Sequence, residues 1–145
     1  MRKALALSLT LVLCLCFLLC GCSESKPQED LKYNTAYPLG AAEYQMAVNH
    51  KLAPLISVLQ PIANAETVSE EQAKAAAKAV DEVYADISAM NPPADKVVYQ
   101  TDLLADLDAA SKWLKAQYDD EVTAPDREFA DILRMIENAF SVSVN

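Results

Sequence analysis

Four stretches of the chain carry apolar residues at helical spacing. Within each stretch these residues recur at i, i+3, i+4 and i+7, which is the pattern of an amphipathic helix with one face turned toward a core. The predicted helices span about 39–65, 70–90, 93–118 and 125–141. Their predicted core faces contain Tyr44, Val48, Leu52, Leu55, Ile56, Leu59 and Ile62; Ala73, Ala76, Ala77, Val80, Val83, Tyr84 and Ile87; Leu103, Leu104, Leu107, Ser111, Leu114 and Tyr118; and Phe129, Ile132, Leu133, Ile136 and Phe140.

Proline and capping residues mark where these helices bend, begin and end. Pro54 and Pro61 fall on the polar side of the first helix, where proline bends a helix toward its core, so a single curved helix is favoured over two helices broken near Ala53. The sequence Ser69-Glu70-Glu71-Gln72 predicts a capping box at the start of the second helix. Asn91-Pro92-Pro93 predicts a tight turn between the second and third helices.

Short connections between four one-sided helices define the expected fold. Each apolar stripe is buried only against the other stripes, and short links make consecutive helices antiparallel. The chain contains two glycines, Gly21 and Gly40, which is too few for a sheet with many tight turns. The sequence therefore predicts an all-α domain over 39–145, an antiparallel up-down-up-down four-helix bundle.

The N-terminus has the organisation of an export signal. Arg2 and Lys3 precede an apolar run from Ala4 to Leu19, and a polar sequence begins at Ser23. Positive charge is retained on the cytoplasmic side, so the rest of the chain is expected to be translocated. An uncleaved membrane helix is the alternative, because about 20 apolar residues are enough to cross a bilayer.

The end of this segment resembles the cleavage site of bacterial lipoproteins. Leu19 stands three residues before Cys22, and the small residue Gly21 immediately precedes it. The resemblance implies that 1–21 is a signal peptide removed by cleavage before Cys22, and that Cys22 carries a diacyl thioether and often an acylated amine, palmitate being a typical chain. It also implies a cell envelope protein anchored to the cell membrane or the outer membrane on its extracytoplasmic face. Cys20 is the poorer candidate, because the bulky Leu19 precedes it.

Residues 22–38 are predicted to form a flexible tether between the anchor and the bundle. They are polar and show no apolar periodicity.

The Pro92-Pro93 turn before an amphipathic helix resembles that of small uncharacterised α-helical lipoproteins, but this short motif implies no particular activity.

Charge and cysteine placement exclude several classes of partner and cofactor. The formal net charge is −9, and removal of Arg2 and Lys3 with the signal would make it two units more negative. Such a surface repels phosphates, so no nucleic acid partner is expected. All four cysteines lie in the first 22 residues, so the mature chain is expected to have neither a disulfide nor a cysteine metal site.

The sequence also lacks the usual catalytic and cofactor motifs. His50 is the single histidine and falls on the polar side of its helix, which disfavours a catalytic relay. Gly-rich phosphate loops, Glu-x-x-His pairs and Cys-x-x-Cys-His are missing. The acidic residues 119–121 with Asp126 are interpreted as a solvated loop rather than a calcium site. On the third helix, Asp102 and Asp106 are expected to face water, and Asp108 is expected to pair with Lys112. No cofactor and no enzymatic activity are expected.

Trp113 is the one candidate for partner contact. It falls roughly 120° from the leucine face of the third helix, where a simple core does not require an aromatic ring. The alternative is that the tether, with Tyr33 and Tyr37, folds back and covers the ring. The favoured hypothesis is a lipid-anchored, non-enzymatic binding or structural module that contacts an unknown envelope protein; a carrier of a small ligand or metal ion inside the bundle is the alternative.

Overall fold

The computed structural model of the protein describes residues 39–141. Within this range the chain forms four α-helices, and no strand is present. The helices are α1 (Ala41–Ala63), α2 (Glu70–Ser88), α3 (Val97–Lys115) and α4 (Phe129–Ser141), and a 3-10 turn at Ala94–Lys96 directly precedes α3. The prediction of an all-α fold is therefore confirmed for this part of the chain. The signal, Cys22 and the tether lie outside the described residues.

Helix α1 continues without a break through both of its prolines. It contains 23 residues, with Pro54 and Pro61 inside it. Both proline side chains are exposed, so the backbone hydrogen bonds that proline removes are lost on the solvent side, where water replaces them at little cost. Of the two interpretations of this segment, the single helix is the one observed.

The predicted capping box opens α2. The Gln72 N–H donates to Ser69 Oγ at 3.3 Å, and the Ser69 N–H donates to Gln72 Oε1 at 3.1 Å. These two bonds satisfy backbone donors that have no partner within the helix. The other end of α2 is held by α3, because Gln100 Nε2 donates to the carbonyl oxygens of Ile87 at 2.6 Å and Met90 at 3.1 Å.

Helix α4 begins four residues later than the sequence pattern predicts. The carbonyl oxygen of Glu128 accepts the first helical bonds, from the N–H groups of Asp131 and Ile132. Before this point Arg127 turns to α3 and pairs with Asp106 at 3.1 Å. Residues 125–128 therefore form a connection and not a first helical turn.

The core is aliphatic and follows most of the predicted faces. All seven predicted positions of α1 are buried, and so are four of the five in α4. On α2 the buried residues include Ala73, Ala76 and Ala77, whose small side chains let α3 approach closely; α2 and α3 make the most extensive contact between helices. Two predictions are wrong, because Tyr84 is 39% exposed and Phe140 is 37% exposed.

The four helices pack in a closed ring. Each helix contacts the next one along the chain, and α4 contacts α1. This arrangement surrounds a single cluster of buried side chains contributed by all four helices. The packing is that of a helical bundle.

Candidate functional site

The side chain of Trp113 stacks on the first residue of α4. Its ring centroid lies 4.6 Å from that of Phe129, with an angle of 33° between the two planes. Phe129 is buried, whereas Trp113 is only partly buried and packs at the margin of the core. One face of the ring is thus covered by α4. The alternative, cover of the ring by Tyr33 and Tyr37, concerns residues outside the described part of the chain.

A half-enclosed groove of about 400 Å³ runs between α2 and α3. Leu107 and Ser111 are buried at its base, and Tyr84 presents an exposed ring to it. Val122, from the connection between α3 and α4, also lines it. Tyr84 was predicted to be a core residue, and it instead contributes an accessible aromatic surface to this groove.

Ion pairs occupy the same groove. Lys115 Nζ lies 2.8 Å from Asp81 Oδ2, and Ser111 Oγ donates to Asp81 Oδ1 at 2.6 Å. Lys112 Nζ lies 2.7 Å from Asp108 Oδ2, which confirms the predicted pair on α3. The groove therefore combines a buried apolar base with two lysine–aspartate pairs that remain partly exposed.

A buried polar cluster joins α1, α3 and α4. Gln45 is 2% exposed, and its Nε2 lies 3.0 Å from Asn49 Oδ1, 3.1 Å from Tyr99 Oη and 3.4 Å from the carbonyl oxygen of Ala139. Tyr99 Oη donates to that same carbonyl at 2.9 Å. Tyr44 packs edge-on against the Tyr99 ring, with centroids 6.3 Å apart. Within residues 39–141, Tyr44 Oη and Gln45 Oε1 have no hydrogen-bond partner.

Burial perturbs the two tyrosines of this cluster. It raises the pKa of Tyr44, because a phenolate is poorly solvated there, and the neighbouring Tyr99 raises it further. Burial also raises the pKa of Tyr99, and the hydrogen bond from Gln45 lowers it in part. The sequence pattern does not indicate this polar cluster, because its residues lie on three different helices.

The acidic residues do not assemble into a metal site within the part of the chain that the structure describes. No group of three or more histidine, cysteine, aspartate or glutamate side chains is placed to hold an ion there. Asp119 Oδ1 accepts a bond from the N–H of Glu121 at 3.0 Å and so orders the acidic loop. Asp106 was predicted to face water, which is wrong, because its side chain is 13% exposed and pairs with Arg127.

One further observation concerns the described helices, and another concerns the whole sequence. Among the described helices, none is both long enough and apolar enough to cross a bilayer. Comparison of the chain with protein-family models, curated proteins and solved structures finds no match.

Proposed function

We propose that the chain is a lipid-anchored, extracytoplasmic helical module that binds a protein or another component of the cell envelope without catalysing a reaction. The observation that carries this proposal is the sequence Leu19-Cys20-Gly21-Cys22 at the end of an apolar segment that follows Arg2 and Lys3. In lipoproteins the thiol of this cysteine is acylated, and cleavage before Cys22 would free its α-amine as a second site of acylation. The proposed function therefore requires attachment of the chain to a membrane through Cys22.

Acyl chains at Cys22 would hold the module on the outer face of a membrane. Each buried methylene contributes about 0.8 kcal/mol, so one chain binds only marginally, whereas two or three anchor stably. The Leu39 N–H donates to the carbonyl oxygen of Asn91 at 3.5 Å. Leu39, the first described residue, therefore lies beside the turn between α2 and α3, and this end of the bundle is proposed to face the membrane.

The proposed topology of the bundle is up-down-up-down. Gln100, near the start of α3, contacts the end of α2, whereas Lys74, near the start of α2, lies 5.2 Å from the Tyr118 ring beyond the end of α3. Lys51 Nζ pairs with Asp86 Oδ2 at 2.8 Å, which brings the first half of α1 to the last turn of α2. Both sets of contacts are those of antiparallel neighbours.

Contacts of α4 support the same topology. Tyr99, in the first turn of α3, bonds to Ala139 in the last turn of α4. Trp113, in the last turn of α3, stacks on Phe129 at the start of α4. An antiparallel α3 and α4 pair satisfies both contacts at once.

The composition of the core favours a binding module over a carrier that holds its ligand inside the bundle. The largest fully buried side chains are mostly leucine, isoleucine and valine, which fill the centre of the bundle and offer an ion no ligand. A carrier function would therefore use the surface grooves. The proposed activity is the presentation of a stable helical surface within reach of a membrane.

Substitution of Cys22 tests the anchor. Cys22→Ala is expected to abolish incorporation of labelled palmitate and to leave an unprocessed precursor, because the acylated thiol and the cleavage site are lost together. Labelling and gel mobility in a bacterial host measure both effects. Cys20→Ala is the matched control and should be labelled and processed normally; equal labelling of the Cys22→Ala chain would refute the proposal.

Substitution of Trp113 tests the partner surface. Trp113→Ala is expected to reduce recovery of a crosslinked envelope partner, and to lower the free energy of unfolding by about 1–2 kcal/mol, less than the roughly 3–5 kcal/mol of a fully buried aromatic residue. Trp113→Phe preserves most of the stacking on Phe129 and serves as the control for stability. If Trp113→Ala lowered the free energy of unfolding by roughly 3–5 kcal/mol and left crosslinking unchanged, Trp113 would be assigned to the core.

A further inference from the structure

The groove between α2 and α3 has the size and the chemical composition of a small-ligand site. Its volume of about 400 Å³ lies in the range of protein ligand pockets, roughly 300–1,000 Å³. Its base is apolar at Leu107, and Tyr84 supplies an exposed aromatic ring. A ligand seated here would cover apolar surface and meet charged groups at the same time.

The charges of the groove are balanced, although the protein is strongly acidic. Asp81 and Asp108 are matched by Lys112 and Lys115, so the lining carries no net charge. An isolated anion or cation therefore gains little from the groove as a whole. A ligand that carries one charge of each sign meets complementary groups at two separate points.

We propose that this groove binds short peptides with a free amine and a free carboxylate. The amine is assigned to Asp108, and the carboxylate to Lys115. When Lys115 turns to the ligand, Asp81 retains the hydrogen bond from the buried Ser111 hydroxyl. The proposal extends the module from anchored binding to recognition of a defined ligand class, and it does not depend on the lipid anchor.

Because the ion pairs are exposed, this exchange of partners requires little free energy. The side chains of Lys112 and Asp108 are 55% and 51% exposed, and those of Lys115 and Asp81 are 36% and 48% exposed. Exposed pairs of this kind contribute only about 0–1 kcal/mol, so a ligand that replaces one partner loses little. Each new bond between a ligand terminus and a lysine or aspartate is charge-assisted on both sides.

The spacing along α3 suits a dipeptide. Asp108 and Lys115 are seven residues apart, which places their backbones about 10 Å apart along the helix axis. A dipeptide spans about 7 Å, and the two side chains reach over the remaining distance. Apolar side chains of a dipeptide fit against the exposed Tyr84 ring and Val122.

Three dipeptide probes test the proposal on the full chain in detergent. Leucyl-leucine carries both charges, its acetylated form carries only the carboxylate, and its amide carries only the amine. Leucyl-leucine is expected to shift the backbone amide NMR signals of Ser111 and Val122 saturably, with a dissociation constant on the order of 0.1–1 mM. The two derivatives are expected to bind about tenfold more weakly, because each loses one charge-assisted contact.

Two variants connect each terminus to its assigned residue. Asp108→Asn is expected to bind leucyl-leucine as weakly as the acetylated form, because the contact with the free amine is lost. Lys115→Met is expected to bind leucyl-leucine as weakly as the amide, because the contact with the carboxylate is lost. Asp131→Asn and Lys78→Met alter exposed ion pairs outside the groove and are expected to bind like the parent chain. Equal affinity for all three probes, shifts centred away from the groove, or unchanged discrimination in both variants would each overturn the proposal.

Discussion

Replacing Leu59 by alanine should lower the free energy of unfolding by about 3–5 kcal/mol. Leu59 is fully buried in the core, on the part of α1 between the two prolines. The substitution removes three buried carbon atoms and leaves a cavity that the surrounding helices only partly fill. Domains of this size are stable by about 5–15 kcal/mol, so one substitution removes a large share of the total.

The adjacent residue provides a matched control. Val58 is 43% exposed, so Val58→Ala is expected to cost less than about 1 kcal/mol. Urea denaturation of both variants, followed by circular dichroism, measures the difference. Similar losses at the two positions would mean that the buried face of α1 is not the one centred on Leu59.

Periodicity was sufficient to predict the inner face of α1. Leu52, Leu55 and Leu59 belong to one stripe, and their burial requires no knowledge of which neighbour covers them. The start of α2 was equally predictable, because the Ser69 and Gln72 capping box is a local interaction. Local spacing thus determined the helices and most of the core.

The exposed aromatic residues show where periodicity fails. A helical wheel gives the direction of a side chain, but it does not say whether the opposite helix carries a side chain large enough to cover it. Phe140 lines a groove of about 420 Å³ together with the small side chains of Ala53 and Ser57 on α1. Tyr84 similarly lines the groove between α2 and α3, where the charged pairs leave its ring uncovered.

The polar contacts between helices were the least predictable feature. Gln100 is buried because its amide bonds to carbonyl oxygens at the end of α2, and the pairing requires the α2–α3 turn to be already in place. The pair of Arg127 and Asp106 likewise depends on the path of the connection before α4. Within-helix pairs such as Asp108 and Lys112 were predictable, since they require only a spacing of four residues.

Alkaline pH should destabilise the bundle through Tyr44. Burial raises the pKa of this tyrosine above its ordinary value of about 10. Between pH 10 and the folded-state pKa, the folded hydroxyl keeps its proton whereas the unfolded phenol releases it, so unfolding releases a proton and higher pH favours the unfolded chain. Ionisation of Tyr44 does not change the free energy of unfolding below about pH 10; above it, that free energy falls by about 1.4 kcal/mol for each pH unit up to the folded-state pKa.

Comparison with Tyr44→Phe isolates this contribution from other groups that titrate in the same range. Urea denaturation from pH 9 to 11 is expected to show a smaller loss of stability in Tyr44→Phe than in the parent chain. A variant that alters a different buried contact, Leu59→Ala, is less stable throughout but keeps the pH dependence of the parent chain. Identical slopes for the parent and Tyr44→Phe would refute the assignment to Tyr44.

At neutral pH the same variant separates the two tyrosines of this polar cluster. Tyr44 Oη has no hydrogen-bond partner within residues 39–141, so Tyr44→Phe removes a buried polar group and is expected to leave the free energy of unfolding unchanged or to raise it by up to about 2 kcal/mol. Tyr99→Phe instead breaks the bonds to Ala139 and Gln45 and is expected to lower it by about 1–2 kcal/mol. If Tyr44→Phe proved the more damaging of the two, the Tyr44 hydroxyl would have a partner beyond these residues, and the cluster would extend to water or to another segment of the chain.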